Sequence, residues 1–371
     1  MANKNLNAAK TAKKDEFYTQ MADIERELQH YWPHFRGKVV LCNCDDPYES
    51  NFFKYFALRF NQLGLKKLIC TCYDGSPVMG TELSLFDEGD TEDQKKNAYK
   101  VEITEVSDLN GDGAVDLSDV EYLLRNDKNV LSFLKGNGDF RSRECIELMK
   151  EADIVVTNPP FSLFRDYVLQ LIKFDKKFVI MGRMSALHYS DIFPLFMQNK
   201  MWCGFGFNIS VVYKAPYENI LESNRKFVQS RGLNPDDNYI KVPAICWYTN
   251  LDISKRHETI DLIRPYSEEE YPSYYNYEAI DVSELANIPF DYEGNMGVPD
   301  TILGCFNPDQ FELIGLGRDS EEVKVDRSIY EKIKVQNPNA RPSHIGYYDK
   351  NGKPKEPYSR IIIRNKHPKT I

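Results

Sequence analysis

The sequence predicts an α/β fold built on a parallel sheet, because segments typical of strands alternate with segments typical of helices. Four short apolar runs are typical of buried strands: 38–44, 67–73, 153–157 and 177–182. Helical periodicity separates the first two runs and the last two, at 48–63 and 164–174. Strands that alternate with helices imply a parallel sheet covered on both faces. A further apolar run at 244–248 is expected to complete the sheet.

The length of 371 residues allows two domains. Tyr and Pro become frequent after residue 251 and turn signals multiply, so a loop-rich second domain is expected at 256–371, after a first domain at 1–255. The segment 79–137 is too long and too polar for a simple connection, and we expect an insertion there.

Charge is distributed unevenly along the chain. The formal net charge is −9, yet residues 331–371 hold ten basic and three acidic residues, while residues 81–127 hold fourteen acidic and four basic ones. A basic tail on an acidic body is expected where one part of a protein touches a polyanion. The candidate phosphate contacts in the tail are Arg341, His344, Lys353, Lys355, Arg360, Arg364 and Lys366.

Composition also excludes several classes of protein. No run of about 18 apolar residues is present, so a membrane span is not expected. The polar start, 1–14, is unlike a secretory signal, and we expect a cytoplasmic monomer. Cys42 with Cys44, and Cys70 with Cys72, lie on one face of a strand each, a spacing that favours reduced core thiols over a zinc site.

The most specific motif is Asn158-Pro159-Pro160-Phe161, which follows an apolar strand and precedes a helix. Ligands of open parallel sheets bind at the carboxyl ends of strands, so the motif lies where chemistry is expected. The alternative is a Pro-Pro turn in which Asn158 caps the next helix.

This motif suits methylation of a conjugated amine. The lone pair of such an amine is delocalised, and two acceptors aimed at its N–H bonds would localise it. The Asn158 side-chain carbonyl and the Pro159 backbone carbonyl can supply them. Pro159 and Pro160 stiffen the loop and preorganise both acceptors, and Phe161 offers a face on which a base can stack.

The methyl donor needs its own pocket. Asp74 closes the second predicted strand, where an acid typically bonds ribose hydroxyls. The loop after the first strand lacks glycines, so a phosphate cradle is not expected there, whereas Asp45 and Asp46 suit a positively charged sulfonium. Asp139 could accept from the adenine amine of the donor, with Phe140 stacking on its ring. The alternative for each acid is an ordinary turn or cap.

Together these features resemble the EcoRI-type family of adenine-specific DNA methyltransferases. The segments that carry the resemblance span most of the chain: 14–20, 44–47 with 50–51, 138–140, 153–164, 246–251, 296–299 and 307–312. The chain departs from the family pattern at 300–305, which puts its target sequence in doubt.

The resemblance implies a Rossmann-like domain that uses S-adenosylmethionine as methyl donor. It implies that Phe17, Tyr18 and Thr19 fold back onto the cofactor pocket, to which Cys44 and Pro47 also contribute. It further implies a C-terminal domain that reads duplex DNA, a target adenine rotated out of the helix, and a companion restriction endonuclease. A paired, stacked amine cannot otherwise reach the methyl group.

An independent motif in the insertion has the spacing of an EF-hand loop. Its ligand positions are Asp108, Asn110, Asp112, Ala114, Asp116 and Asp119, and residues 120–124 are expected to form the exiting helix. This spacing predicts one structural Ca²⁺. The alternative is a turn that folds through its own backbone bonds without metal.

Two rival functions remain open at this stage. Enzymes that methylate RNA or a protein glutamine use a similar Asn-Pro-Pro-aromatic loop, although they leave the basic tail unexplained. A calcium-dependent binding protein without catalysis would leave residues 158–161 idle. His188 follows the fourth predicted strand and could face the pocket, although a lone histidine is more often structural.

Overall fold

The structure is a computed structural model that describes residues 18–44, 47, 50–72, 98–109, 111, 116–126, 131–214, 222–237 and 239–369. It divides into two compact units. The first holds the described residues up to Ala186 and those from Cys203 to Leu251. The second holds Leu187–Trp202 and the described residues from Asp252 onward. The division near residue 251 lies close to the expected boundary, but no pattern in the sequence predicted that residues 187–202 belong to the second unit.

The first unit contains a ten-stranded sheet. Its strands are β1 (Tyr18–Thr19), β2 (Val39–Cys42), β3 (Lys67–Thr71), β4 (Tyr99–Ile103), β5 (Leu131–Phe133), β6 (Ile154–Thr157), β7 (Lys177–Arg183), β8 (Trp202–Cys203), β9 (Ile209–Lys214) and β10 (Tyr239–Thr249). Their spatial order is β1-β9-β10-β7-β6-β2-β3-β4-β5, and β8 pairs with β10.

The centre of the sheet is parallel and fully buried. β3, β2, β6 and β7 run in one direction, whereas β10 runs antiparallel to both β7 and β9. Every residue of β2 and of β6 is buried, which is why these strands are continuous apolar runs rather than alternating ones. The four predicted strands are therefore confirmed, and the mixed α/β architecture fits a Rossmann-like fold. The run at 244–248 belongs to β10, which is an interior strand and not an edge.

The described helices are α1 (Met21–Leu28), α2 (Trp32–Phe35), α3 (Asn51–Leu58), α4 (Phe60–Leu63), α5 (Leu117–Asn126), α6 (Arg143–Glu151), α7 (Phe164–Lys173), α8 (Phe193–Met197), α9 (Glu222–Ser230) and α10 (Tyr330–Gln336). Short 3₁₀ turns are present at Gln29–Tyr31, Met184–His188, Ser254–His257, Leu285–Asn287 and Asp300–Gly304. α3 begins where it does because the buried Ser50 hydroxyl accepts hydrogen bonds from the Phe52 and Phe53 amides.

Part of the expected insertion belongs to the main sheet. β4 pairs antiparallel with β3, and β5 pairs with β4. Tyr99, Val101 and Ile103 are buried on one face of β4. The sequence at 101–106 alternates like a strand, and β4 is fully buried at every second residue. The helix expected at 120–124 is present as α5.

The second unit is built on a four-stranded sheet of order β11-β12-β16-β13, with a separate hairpin of β14 and β15. The strands are β11 (Ile280–Asp281), β12 (Asn295–Pro299), β13 (Phe311–Leu316), β14 (Tyr347–Tyr348), β15 (Pro354–Lys355) and β16 (Arg360–Asn365). The turn at Asn351-Gly352 joins β14 to β15 in a hairpin. β16 instead pairs with β12 and β13, because its apolar Ile361–Ile363 is buried between them.

Among the described residues, no helix is both long and apolar enough to cross a membrane. None of the eight cysteines forms a disulfide, and Cys42, Cys70 and Cys72 are buried as expected of core residues.

Candidate active site

The carboxyl ends of β2 and β6 form the switch point of the parallel sheet. The chain proceeds outward from β2 to β3 on one side, and from β6 to β7 on the other. The register pairs Leu41 with Val155, so the loops that follow these two strands start next to each other. Open α/β sheets bind their ligands in such a crevice.

The tetrapeptide 158–161 leaves β6 at this crevice. Asn158 is 6% exposed and its Oδ1 atom is buried. The Leu163 amide donates to the Pro160 carbonyl at 2.9 Å, which closes a turn before α7. Among the described residues, no hydrogen bond is made to the Pro159 carbonyl. α7 begins only at Phe164, with Leu163 at its N-cap, so the alternative role of Asn158 as a helix cap is wrong.

Phe161 lies at the edge of this turn with part of its ring exposed. The Tyr213 ring, on β9, lies 6.4 Å from it between centroids, and the two planes are inclined by 57°. Phe161 is thus held by an aromatic neighbour while a portion of its ring stays accessible for a flat ligand.

A buried polar cluster lies beneath the loop that follows β2, and the sequence argument missed it. The Tyr167 hydroxyl, on α7, donates to the Asn43 Oδ1 atom. Burial raises the pKa of Tyr167 well above its ordinary value, so this hydroxyl keeps its proton. Among the described residues, the buried Asn43 Nδ2 and Thr157 Oγ1 atoms have no hydrogen-bond partner. Asn43 directly follows β2, and Thr157 is the last residue of β6. A polar residue at the end of a central strand is the sequence signal that could have identified both as site residues.

These atoms fit a polar ligand in the crevice. A buried donor without a partner costs about 1–3 kcal/mol unless a ligand or water satisfies it. Asn43 lies just after β2 and Thr157 ends β6, so the two residues lie on either side of the switch point. A nucleoside with an amino-acid tail, such as S-adenosylmethionine, carries the hydroxyl, carboxylate and amine groups that such atoms bind.

The segment Gly138–Phe140 packs onto the end of β3. Gly138 has φ of +77°, and a Cβ atom there would lie 2.0 Å from the Cys72 carbonyl oxygen, so only glycine allows this approach. Phe140 is buried, its ring meets Tyr167 edge-on at 5.0 Å, and its carbonyl accepts from Gln170. The structure therefore brings this segment together with the Asn43 cluster through α7.

Asp139 is already engaged by a neighbour. Its two carboxylate oxygens accept from Arg141 at 2.9 and 2.6 Å, and this contact lowers the pKa of Asp139. The same guanidinium lies 5.2 Å from the centre of the Phe140 ring. An adenine amine that bonds Asp139 would have to share or displace Arg141.

The described start of the chain is a strand on the sheet. Tyr18 and Thr19 form β1, which pairs antiparallel with β9. The Asn51 side chain donates to the Thr19 carbonyl at 2.7 Å, which ties β1 to the helix that follows the β2 loop. Cys44 is half-buried and Pro47 is buried in that loop. Four predicted cofactor residues lie outside the described residues: Phe17, Asp45, Asp46 and Asp74.

The EF-hand-like loop is described only in part, since Asn110, Asp112 and Ala114 lie outside the described residues. Asp119 is buried and accepts from the Leu109 and Asp116 amides at 2.7 and 2.9 Å.

Asp108 accepts from the Gly111 amide at 2.6 Å. Backbone amides thus engage the carboxylates of Asp108 and Asp119, as in the metal-free turn. Among the described residues, no group of three or more His, Cys, Asp or Glu side chains is placed to hold a metal ion. The described part of the loop therefore gives no support for calcium.

The candidate DNA contacts all lie in the second unit, with differing exposure. Lys353 and Lys355 are exposed on the β14–β15 hairpin. Arg364 is exposed on β16 and bonds Asn295, and Lys366 donates to the Pro308 carbonyl. Arg341 and His344 line a polar cleft in this unit.

Arg360 is different from these residues. Its side chain is 9% exposed and bonds both oxygens of the buried Asp281 at 2.9 and 3.3 Å. We therefore treat Arg360 as structural rather than as a phosphate contact, since a buried pair is costly to break. His188 also lies in the second unit, where its Nε2 atom is 2.6 Å from the Ser359 hydroxyl.

A parallel sheet with an Asn-Pro-Pro-Phe turn at its switch point defines the class of methyltransferases that act on a conjugated amino group. Residues 5–366 match the family model described as "Adenine-specific methyltransferase EcoRI". The chain therefore belongs to the EcoRI family of adenine-specific methyltransferases.

Three curated relatives agree with this assignment. The chain is 44% identical to Type II methyltransferase M.EcoRI of Escherichia coli, over 98% of this chain and 97% of the relative. It is 38% identical to Type II methyltransferase M.MpnI of Mycoplasma pneumoniae, over 83% and 84%. It is 35% identical to Type II methyltransferase M.MgeORF184P of Mycoplasma genitalium, over 84% and 85%. No solved structure is a significant match to the chain.

Proposed function

We propose that this site-specific DNA adenine methyltransferase transfers a methyl group from S-adenosylmethionine to the exocyclic amine of a rotated adenine, at the turn 158–161. The observation that carries the proposal is the position of Asn158, buried at the switch point and followed by two prolines. The family assignment supplies adenine as the base.

Two oxygens of the turn act on the amine. The Asn158 side-chain carbonyl and the Pro159 backbone carbonyl accept its two hydrogens, which localises the nitrogen lone pair. Because the prolines fix the turn before the base arrives, little reorganisation is needed during reaction. Phe161 stacks on the base. The amine loses its proton after transfer, so no general base is required beforehand.

S-Adenosylmethionine, when bound, supplies an electrophilic methyl group beside this turn. Asn43 and Thr157 hold its polar groups through the Nδ2 and Oγ1 atoms that have no partner among the described residues. Phe140 and Asp139 contact its adenine from the end of β3, and Thr19 closes the pocket from β1. Cys44 and Pro47 contribute from the loop after β2.

The second unit recognises duplex DNA. It contains residues 331–371, which are the basic part of the chain, and exposed cations there suit phosphate groups. An adenine inside a duplex cannot present its amine in line with the methyl group, so the base leaves the stack. We also propose that the protein acts as a monomer in the cytoplasm, where it has access to cellular DNA, and that a restriction endonuclease accompanies it, in keeping with the Type II names of its relatives.

Methyl transfer to duplex DNA, RNA and protein in parallel tests the proposal. We expect N⁶-methyladenine in DNA only, and Asn158→Ala to lower kcat by about 100-fold or more, because one of two preorganised acceptors is lost. Asn158→Asp keeps an acceptor oxygen and should retain more activity than Asn158→Ala. Methylation of RNA or of glutamine, or full activity in Asn158→Ala, would contradict the proposal.

A further inference from the structure

A polar cleft of about 140 Å³ lies within the second unit, apart from the turn 158–161. It is bounded by the end of β13 with residues 317–318, by residues 341–345, and by the segment 357–360 that leads into β16. Polar groups predominate in its lining, and three arginines and two histidines contribute to it. Such a surface is suited to an anion.

Arg318 is the cation of this cleft that remains uncompensated. Its guanidinium donates to the His188 backbone carbonyl at 2.5 Å, which fixes its position. Among the described residues, no carboxylate lies within ion-pair distance of Arg318, whereas Arg341 pairs with Glu356 at 2.9 Å. Arg318 is only half-buried, so its charge is available to a ligand.

His344 reports the positive potential of the cleft. Its backbone forms a bridge with that of Arg318. Burial and the nearby Arg341 lower the pKa of His344, Arg318 adds to this effect, and Glu356 opposes it. Arg318 thus adds to this small volume a cation that has no carboxylate partner among the described residues, and an incoming phosphate would pair with it.

An aromatic ring stands at the rim of the same cleft. Tyr358 is 93% exposed, the highest value among the exposed large hydrophobic side chains of the described residues. Its backbone is held on the C-terminal side, because the Ser359 hydroxyl bonds His188 and Arg360 bonds the buried Asp281. Pro357 restricts the chain on the other side. The ring is therefore presented to solvent from a fixed segment, which lowers the entropic cost of binding through it.

We propose that this cleft is a nucleotide subsite of the DNA-binding surface, in which Arg318 and Arg341 bind a backbone phosphate and Tyr358 packs against the adjoining nucleotide. Guanidinium groups match phosphate geometry, and aromatic rings stack on any base. The inference rests on the proposed function, because it takes duplex DNA as the ligand. It adds Arg318, which lies outside the basic tail 331–371, and it gives Tyr358 a specific role.

Equilibrium binding of a fluorescent duplex at several salt concentrations tests the subsite. Arg318→Gln should weaken binding about 5- to 10-fold at moderate salt and reduce the slope of log K against log salt by about 1. Tyr358→Ala should weaken binding by about 5-fold or more, while Tyr358→Phe, which keeps the ring, should bind within about 2-fold of wild type.

Arg36→Gln is the charge-matched control. Arg36 is exposed and precedes the amino-terminal end of β2, whereas the crevice lies at the carboxyl end, so its removal should leave the salt slope unchanged. Thermal melting of each variant separates unfolding from lost contact. Should Arg318→Gln and Tyr358→Ala stay folded and bind DNA like Arg36→Gln, the subsite is refuted. If the wild-type protein methylates no DNA at all, the proposed function fails instead.

Discussion

Asn43 illustrates how a single side chain can be oriented by its neighbour. Its Oδ1 atom accepts from the Tyr167 hydroxyl, which burial keeps protonated by raising its pKa. With the oxygen fixed in this way, the amide nitrogen is the atom left for a ligand. Asn43 and Thr157 together make the crevice a site for polar groups rather than an apolar cavity.

Tyr167→Phe tests this orientation. Without the hydroxyl, the Asn43 Oδ1 atom loses the donor that fixes it and the amide can rotate, so we expect S-adenosylmethionine to bind roughly 5-fold more weakly, about the worth of one hydrogen bond. Calorimetric titration of the cofactor measures the change.

Tyr55→Phe is the matched control for this experiment. Tyr55 is an equally buried tyrosine of the first unit whose hydroxyl accepts from Trp32 at 2.8 Å. It should lose stability without losing cofactor affinity. Equal cofactor affinities in the two variants would rule out a special role for Tyr167.

At the scale of elements, the site is assembled by close packing between loops. The segment 138–140 reaches the end of β3 only because residue 138 has no side chain. α7 then joins this segment to the loop after β2, through Tyr167 and Gln170. The elements that carry the candidate cofactor contacts therefore depend on one tight backbone approach.

Gly138→Ala should show this dependence in the free energy of unfolding. A left-handed φ costs alanine about 1 kcal/mol, and the clash with the Cys72 carbonyl adds to it. Gly37→Ala is the control, because φ is +71° there and nothing lies within 4 Å of the added methyl group. Urea unfolding should show a larger loss for Gly138→Ala, by at least about 1 kcal/mol. Equal losses would mean that the segment yields without strain.

At the scale of the whole molecule, charge divides the chain. Acidic residues outnumber basic ones before residue 331, whereas the second unit contains the basic tail 331–371 and a cleft lined by arginine and histidine. Repulsion of the polyanion by the acidic part and attraction by the cleft would orient DNA on approach.

This distribution predicts that DNA affinity depends on pH. In the free protein, burial and the neighbouring Arg341 lower the pKa of His344, with Arg318 adding to this and Glu356 opposing it. A bound phosphate favours the protonated imidazole, so binding takes up a proton. Affinity should therefore rise as pH falls through the range around the ordinary histidine pKa, about 6.5.

Anisotropy titrations between pH 8 and pH 6 would measure this effect, using about 0.5-unit steps across the histidine range. His344→Gln should abolish the pH-dependent part. His188 also lines the cleft, so His188→Gln shows whether the second histidine contributes. A pH dependence that persists in His344→Gln would contradict the assignment. In the absence of DNA the sign reverses: the unfolded chain binds the proton more readily, so His344 lowers stability as pH falls below about 6.5.

The sequence by itself determined the central strands, the position of the turn 158–161 and the family. Buried parallel strands are continuous apolar runs, and a proline pair after such a run is a local signal that needs no distant partner. It did not reveal that β16 pairs with β12 and β13, because these strands are distant in the sequence.

Only the tertiary structure decided which side chains meet. The Asn43–Tyr167 pair joins residues 124 positions apart, and the Arg318 cleft joins four separate segments. The structure also showed that Arg360 is buried against Asp281, although Arg360 lies in the same basic segment of the sequence as the exposed cations. Pairing across such distances is set by packing and by the cost of unpaired buried charge, neither of which a local pattern encodes.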